Sequence, residues 1–210
     1  MDRGKTALLL AGPSGGGKTT VMAELCKSDY GFELVRSATT RERRGDGNDG
    51  EYIYLSKEEF LLLARSGEML EFTEYGGNLY GTPNLEIKRI NELGKTPILI
   101  LDLNGAATLR AKKLGFDIYA VYVYAAPRVL SERLAKRYAE VGGEKSERYA
   151  IRMENNRRDY LSAAEWCPLF DTAVVSSSLK KTEEEVMKAF LSGKKEISPE
   201  PFLQMAEEFN

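Results

Sequence analysis

The sequence contains no histidine and only two cysteines. Without imidazole, no mechanism can rest on histidine as general base, nucleophile partner or metal ligand. Cys26 and Cys167 are too few for a disulfide framework and lack metal-ligand spacing. Cys26 falls in a helix-compatible run and reads as a packed core thiol. No apolar run approaches a membrane span, and the N-terminal run Thr6–Ala11 is too short for a signal-peptide core. The expectation is a soluble protein in the reducing cytoplasm. An excess of one charge is lacking too. Thirty basic residues against 32 acidic ones leave a net charge of −2, so no bulk basicity points to nucleic acid. Arginines gather locally instead, at Arg41–Arg44 and along Arg128–Arg158, which suits small anions held in a cleft.

What is present is more specific. A chain of 210 residues, 42% hydrophobic, is consistent with one domain carrying an inserted subdomain. Near its start, the apolar run Leu8-Leu9-Leu10-Ala11 leads into Gly12-Pro13-Ser14-Gly15-Gly16-Gly17-Lys18-Thr19-Thr20, and a helix-compatible run, Val21 to Lys27, follows. Gly12 to Thr19 is Gly, four residues, then Gly-Lys-Thr, the phosphate-binding loop of nucleoside triphosphate enzymes. Glycines let the backbone turn tightly and aim several N–H groups at one anion, and the new helix adds its positive end. Lys18 would reach the β- and γ-phosphates of a nucleoside triphosphate, and the Thr19 hydroxyl would ligate Mg²⁺.

Along the chain, strands are expected at Lys5–Ala11, Glu33–Arg36, Glu51–Leu55, Pro97–Leu101, Ile118–Val123 and Thr172–Val175. Helices are expected at Lys18–Ser28, at Ala106–Leu114, at Arg128–Ala139 and at Glu147–Glu165. Ser56-Lys57-Glu58-Glu59 reads as a capping box opening a helix that Gly67 ends. Met69–Tyr75 and Asn78–Tyr80 read as a hairpin through Gly76-Gly77. Thr82-Pro83 reads as the cap and first position of a helix closing near Gly94, and Thr182–Glu185 as a capping box opening a last helix that Gly193 ends. Ser37 to Gly50 is too polar and glycine-rich for a core element. It reads either as a solvated charge run or as a second phosphate site, because guanidinium forks match phosphate oxygens. Alternating strands and helices give α/β architecture with a parallel sheet, interrupted from Ser37 to Tyr80 by mixed, strand-rich structure.

Four segments in fixed order carry a closer signal: Ser37-Ala38-Thr39-Thr40-Arg41, Gly50-Glu51-Tyr52, Leu70-Glu71-Phe72 and Asn78-Leu79-Tyr80-Gly81-Thr82. From about Thr6 to Ser192 the chain resembles the guanylate kinase family, which transfers a phosphoryl group from ATP to GMP. The resemblance implies a P-loop kinase three-layer fold with a parallel core sheet (core 1–36, 95–131 and 155–193), a GMP-binding insertion at 37–94, a helical lid at 132–154 and a tail at 194–210. It gives the GMP phosphate to Ser37, Arg41, Arg44, Tyr52 and Tyr80, and the guanine to Glu71 and Thr82. A carboxylate can accept guanine N1–H and N2–H together, whereas adenine N1 offers only a lone pair, so such a site discriminates strongly. Gly12, Ser14, Gly15, Gly16, Gly17, Lys18, Thr19 and Thr20 would hold ATP. Lys18, Arg41, Arg137 and Arg152 would neutralise the transferring group, and Asp102 would serve Mg²⁺ and substrate. Arg133 and Arg148 read as a charged helix surface. No protein base is required, because a phosphate monoester with a second pKa of about 6 is largely ionised at neutral pH.

The chain departs from the family at Ile100, where an acid is usual, and at Ser176-Ser177-Ser178, where an Asn-Asp pair is usual. Its loop after Arg41 is one residue short, which sets Arg43 against Arg44 as the second phosphate arginine. Its lid is longer and contains Gly142-Gly143. Two other readings stay open at this level: a catalytically silent scaffold of the same architecture, and a kinase for another phosphorylated acceptor. The tail reads as flexible or docked on the surface.

Overall fold

A computed structural model of the chain describes residues 6–43, 49–75, 77–139 and 145–209. Among these residues the strands are β1 (Thr6–Ala11), β2 (Phe32–Leu34), β3 (Ser37–Thr39), β4 (Tyr52–Tyr54), β5 (Met69–Tyr75), β6 (Asn78–Pro83), β7 (Thr96–Ile100), β8 (Asp117–Tyr124) and β9 (Thr172–Val175). The helices are α1 (Lys18–Lys27), α2 (Lys57–Arg65), α3 (Asn84–Glu92), α4 (Leu103–Ala111), α5 (Pro127–Arg137), α6 (Glu147–Glu165), α7 (Leu179–Ser192) and α8 (Glu200–Glu207). They fall into two compact units, Met1–Leu9 with Leu25–Ile118, and Leu10–Glu24 with Tyr119–Asn210. No described helix is long and apolar enough to cross a membrane.

In the first unit, β2, β7 and β1 are neighbours in that order. β2 runs parallel to β7, Phe32 opposite Thr96 and Leu34 opposite Ile98. A second, mixed sheet has the order β4-β3-β6-β5. β3 pairs in parallel with β4 and antiparallel with β6, and β5 and β6 form the expected hairpin with Tyr75 opposite Asn78. The period-2 alternation of strands sorts this sheet into two faces. Ala38 and Leu79 point to one face, where Phe60 of α2 and Met69 complete a buried cluster. Ser37, Tyr52, Tyr54, Tyr80, Thr82 and Glu71 are related by register on the other face. Helix α2 opens on the predicted capping box: Ser56 Oγ accepts from Glu59 N (3.2 Å) and Glu59 Oε2 accepts from Ser56 N (2.7 Å).

Three local expectations are corrected here. Ser37–Thr39 is a strand, not loop, because two partner strands saturate its backbone while Ala38 enters the core. Thr82 does not cap α3. It lies in β6, and Pro83 stands at the cap position with no side-chain hydrogen bond. Cys26 is only partly buried, so it is not a core thiol; burial and then the charge of Glu33 push its pKa up.

The first unit also contains a buried acid held by cations. Glu86 accepts from Arg36 N, Nε and Nη2 and from Arg89 Nε and Nη2 at 2.8–3.1 Å. Glu33 extends the cluster to Arg89 and Lys95. Burial pushes the Glu86 carboxyl up, but the Arg36 and Arg89 hydrogen bonds outweigh it and hold the pKa at about 2.

In the second unit β8 and β9 pair in parallel, Val121 opposite Thr172 through Tyr124 opposite Val175. Helix α7 begins at Leu179, capped by Ser178, earlier than the Thr182 pattern suggests. Thr182 sits buried inside the helix and donates to Ser178 O at 2.7 Å. The tail is docked: α8 packs along α6, and the fully buried Phe202 lies edge-on to Tyr122 (5.0 Å) and Tyr124 (5.3 Å).

Candidate active site

In the second unit the Gly12–Thr19 loop joins the end of β1 to α1. Gly12 has φ +141°, and a Cβ built on it would stand 2.0 Å from Val123 O of β8. Only glycine permits both that conformation and that approach. Gly16 N donates back to Pro13 O (3.1 Å), and Val21 N donates to Gly17 O (2.9 Å) as the helix begins. Lys18 Nζ donates to Gly12 O (2.7 Å) and Pro13 O (2.8 Å), so the ammonium is folded onto its own loop. Thr19 is half-buried and Thr20 exposed.

Two side chains missing from the expected site grip this loop. Arg133 of α5 donates from Nη1 to Gly15 O (3.0 Å) and Ser176 Oγ (3.0 Å), and from Nη2 to the Ser176 and Ser177 carbonyls (3.4 Å each). It is a loop-binding residue, not a solvated surface charge. Asn156 of α6, fully buried, accepts from Ser14 N at Oδ1 (2.7 Å) and donates from Nδ2 to Ser14 O (2.9 Å). A signal for both existed in the spacing. Arg133 stands four residues before Arg137 and Asn156 four after Arg152, and residues so spaced share one helix face. Arg137 is exposed at the last position of α5, and Arg152 is half-buried on α6.

In the first unit the polar sheet face assembles most of the expected acceptor residues. Arg41 N donates to Thr39 Oγ1 (3.1 Å), and its Nη2 donates to Tyr54 OH (3.2 Å). Its guanidinium lies 5.2 Å from the Tyr52 ring centre. Tyr80 stands edge-on to Tyr52 at 6.4 Å, and Ser37 is paired with Tyr52 across the β3–β4 ladder. Tyr54, not foreseen as a site residue, also stacks under Arg43 at 4.5 Å. Arg43 is thus seated beside Arg41, while Arg44 and Gly142-Gly143 lie outside the described residues.

A few residues along β5 and β6, Thr82 Oγ1 donates to Glu71 Oε1 at 2.6 Å, both side chains buried. Burial raises the Glu71 pKa, the Thr82 hydrogen bond lowers it, and Asp102 raises it further. Asp102 Oδ1 accepts from Gly105 N (2.7 Å) and caps α4. A Cβ on Gly105 would stand 3.3 Å from Asp102 Oδ1 and 3.4 Å from Glu71 Oε2, so the two carboxylates converge on one bare glycine. Asp102 therefore stands beside the Glu71–Thr82 pair in one polar cluster. No group of three or more His, Cys, Asp or Glu among the described residues could hold a metal ion.

A glycine loop with a lysine and a helix start, and an arginine–tyrosine face beside a buried carboxylate, are the features to set against known proteins. The family model for guanylate kinase matches residues 4–193. The chain belongs to the guanylate kinase family. It is 34% identical over 182 residues to the guanylate kinase of Lactococcus lactis, covering 86% of this chain and 84% of that one. It is 36% identical over 181 residues to the Streptococcus thermophilus guanylate kinase (85% and 82%), and 33% identical over 195 residues to that of Thermotoga maritima (90% and 88%). The crystal structure of guanylate kinase from Anaplasma phagocytophilum superposes with a TM-score of 0.65 at 21% identity, covering 90% of this chain and 85% of that one. That likeness places the fold. Within this family member the segment after residue 193, which includes α8, lies beyond the matched family region.

Proposed function

We propose that this family member transfers the γ-phosphoryl group of ATP to GMP or dGMP, giving ADP and GDP or dGDP. The observation that carries the reading is the buried Glu71 carboxylate, held by Thr82 and flanked by Asp102, on the sheet that also presents Arg41, Tyr52 and Tyr80. Guanine offers N1–H and N2–H₂ together, and an ionised carboxylate accepts both. Thr82 can then turn its hydroxyl toward O6. Ser37, Arg41, Tyr52 and Tyr80 take the monophosphate, with Arg43 or Arg44 as the second guanidinium. Gly12, Ser14 and Gly15 to Thr20 take the donor phosphates.

Chemistry follows by placement and charge. A GMP phosphate oxygen, already ionised, forms the new bond to the γ-phosphorus while the bond to the β–γ bridging oxygen breaks and ADP leaves. No proton need be removed by the protein, which suits a chain without histidine. Lys18, Arg41, Arg137 and Arg152 neutralise the charge on the transferring group. Mg²⁺ takes few protein ligands; the Thr19 hydroxyl would hold it, with Asp102 as the second expected ligand, and when bound it would neutralise charge on the donor phosphates. The lid assignment at 132–154 and the place of reaction in the cytoplasm belong to the same reading.

The test is ADP release from ATP and Mg²⁺ with GMP, dGMP, AMP, UMP or no acceptor. Turnover with GMP and dGMP and none with AMP or UMP supports the reading. Indifference to every acceptor points to a scaffold, and a preference for AMP or UMP to another kinase specificity.

A further inference from the structure

We propose that Asn156 is a positioning residue for the donor site, holding the phosphate loop in its anion-binding shape before the nucleotide arrives. The inference rests on the assignment of ATP to the Gly12–Thr19 loop and goes beyond it.

The loop is rich in glycine, and each such residue has a wide choice of backbone states to lose on ordering. Something must narrow that choice if several N–H groups are to converge on one anion. Asn156 is the side chain built for it. A carboxamide carries a donor and an acceptor side by side, as one peptide residue does, and here the two match Ser14 in a closed ring of two hydrogen bonds. The Asn156 side chain is wholly buried and Ser14 half-buried, so water competes little for the carboxamide. Arg133 holds the adjacent Gly15 carbonyl from another helix, which leaves Ser14 and Gly15 fixed at consecutive positions.

The mount of Asn156 is rigid. One helical turn further along α6, the buried Tyr160 donates its hydroxyl proton to Ala125 O and accepts from Ala125 N (3.2 Å). That ties α6 to the chain just after β8, whose Val123 carbonyl lies against Gly12 and Gly16. The tail adds a brace, Phe209 packing against Tyr160 at 5.8 Å. Asn156 thus transmits the position of a fixed helix to the loop.

The experiment compares wild type with Asn156→Ala and Asn156→Leu, measuring KM separately for ATP and GMP, kcat, and the melting temperature. Two lost hydrogen bonds in a buried site correspond to about a tenfold rise in the KM for ATP, with the KM for GMP within twofold of wild type. The leucine variant, which excludes water from Ser14, should be the worse of the two. An unchanged KM for ATP in folded variants overturns the proposal. So does an equal loss toward both nucleotides that tracks a lower melting temperature. If neither variant folds, amide hydrogen exchange on the nucleotide-free wild type decides: a protected Ser14 amide supports the clasp, and exchange at the rate of an open chain refutes it. A wild type that does not bind ATP at all would refute the functional reading instead.

Discussion

Exchanging Glu71 for glutamine alters one oxygen and one charge with almost no change in volume, and it should act in opposite directions on stability and on catalysis. Glu71 is 3% exposed; burial raises its carboxyl pKa, Thr82 lowers it and Asp102 raises it again. A carboxyl with a raised folded-state pKa contributes stability that is complete below its unfolded value and lost as pH rises through the folded one. Ionising the buried carboxyl is therefore disfavoured in the folded chain, and glutamine removes that burden. Thr82 can rotate its hydroxyl to serve the amide, so the melting temperature of Glu71→Gln should be at or above wild type. With GMP the sign reverses. Glutamine can accept only one of the guanine donors and sets its own NH₂ against the other. Because the site is buried, the full value of a charged hydrogen bond is lost and a donor is stranded, together about 3–4 kcal/mol. That corresponds to a fall in kcat/KM for GMP of about 10²–10³, with the KM for ATP unchanged. The check is ADP release at saturating ATP over a GMP series, paired with a thermal melt. A change below about threefold in kcat/KM for GMP, or a parallel loss of ATP affinity, would falsify base reading by Glu71.

Gly12→Ala places a Cβ 2.0 Å from Val123 O at φ +141°, and should abolish ATP turnover while lowering stability by about 3 kcal/mol, read by denaturant unfolding. Glu86, depressed to about 2, stabilises the fold above the ordinary carboxylate value and loses that contribution as pH falls toward 2. Glu86→Gln should cost about 1–3 kcal/mol at neutral pH and show a flatter acid limb than wild type in a melt series. Phe202→Ala removes a fully buried ring and should destabilise the chain by about 3–5 kcal/mol in urea unfolding; an effect under about 1 kcal/mol would mean that the tail is not docked in solution.

Features set by neighbours in sequence were legible. The phosphate loop, the Ser56 capping box and the β5–β6 hairpin all depend on a few consecutive residues, and all appear where expected, with β6 running three residues past its expected end. The failures share a cause. Ser37–Thr39 has the composition of a loop, yet pairing on both edges makes it a strand. Thr82-Pro83 obeys the local rule for a helix start, but the hairpin register gives Thr82 to Glu71. Thr182 opens a plausible capping box, and Ser178 a few residues earlier takes the position. The site residues that local reasoning missed are further still from their partners. Arg133 meets Gly15 across 118 positions and Asn156 meets Ser14 across 142, so no pattern at the loop itself reveals them, and only their helical spacing from Arg137 and Arg152 hints at a shared face. Charge alone made Arg133 look like surface, because its partners are backbone carbonyls far away in sequence, which no local residue marks.

The Lys18 ammonium, lying against the Gly12 and Pro13 carbonyls, has one more implication. A cation that waits in bulk water must shed a hydration shell when an anion arrives, and much of the attraction is spent on that exchange. Here folding has already stripped part of that shell and supplied peptide dipoles in its place. On the proposed reading, an arriving polyphosphate would swap one set of oxygens for another, so that the loop would capture and release it with little rearrangement of solvent, a property suited to repeated turnover.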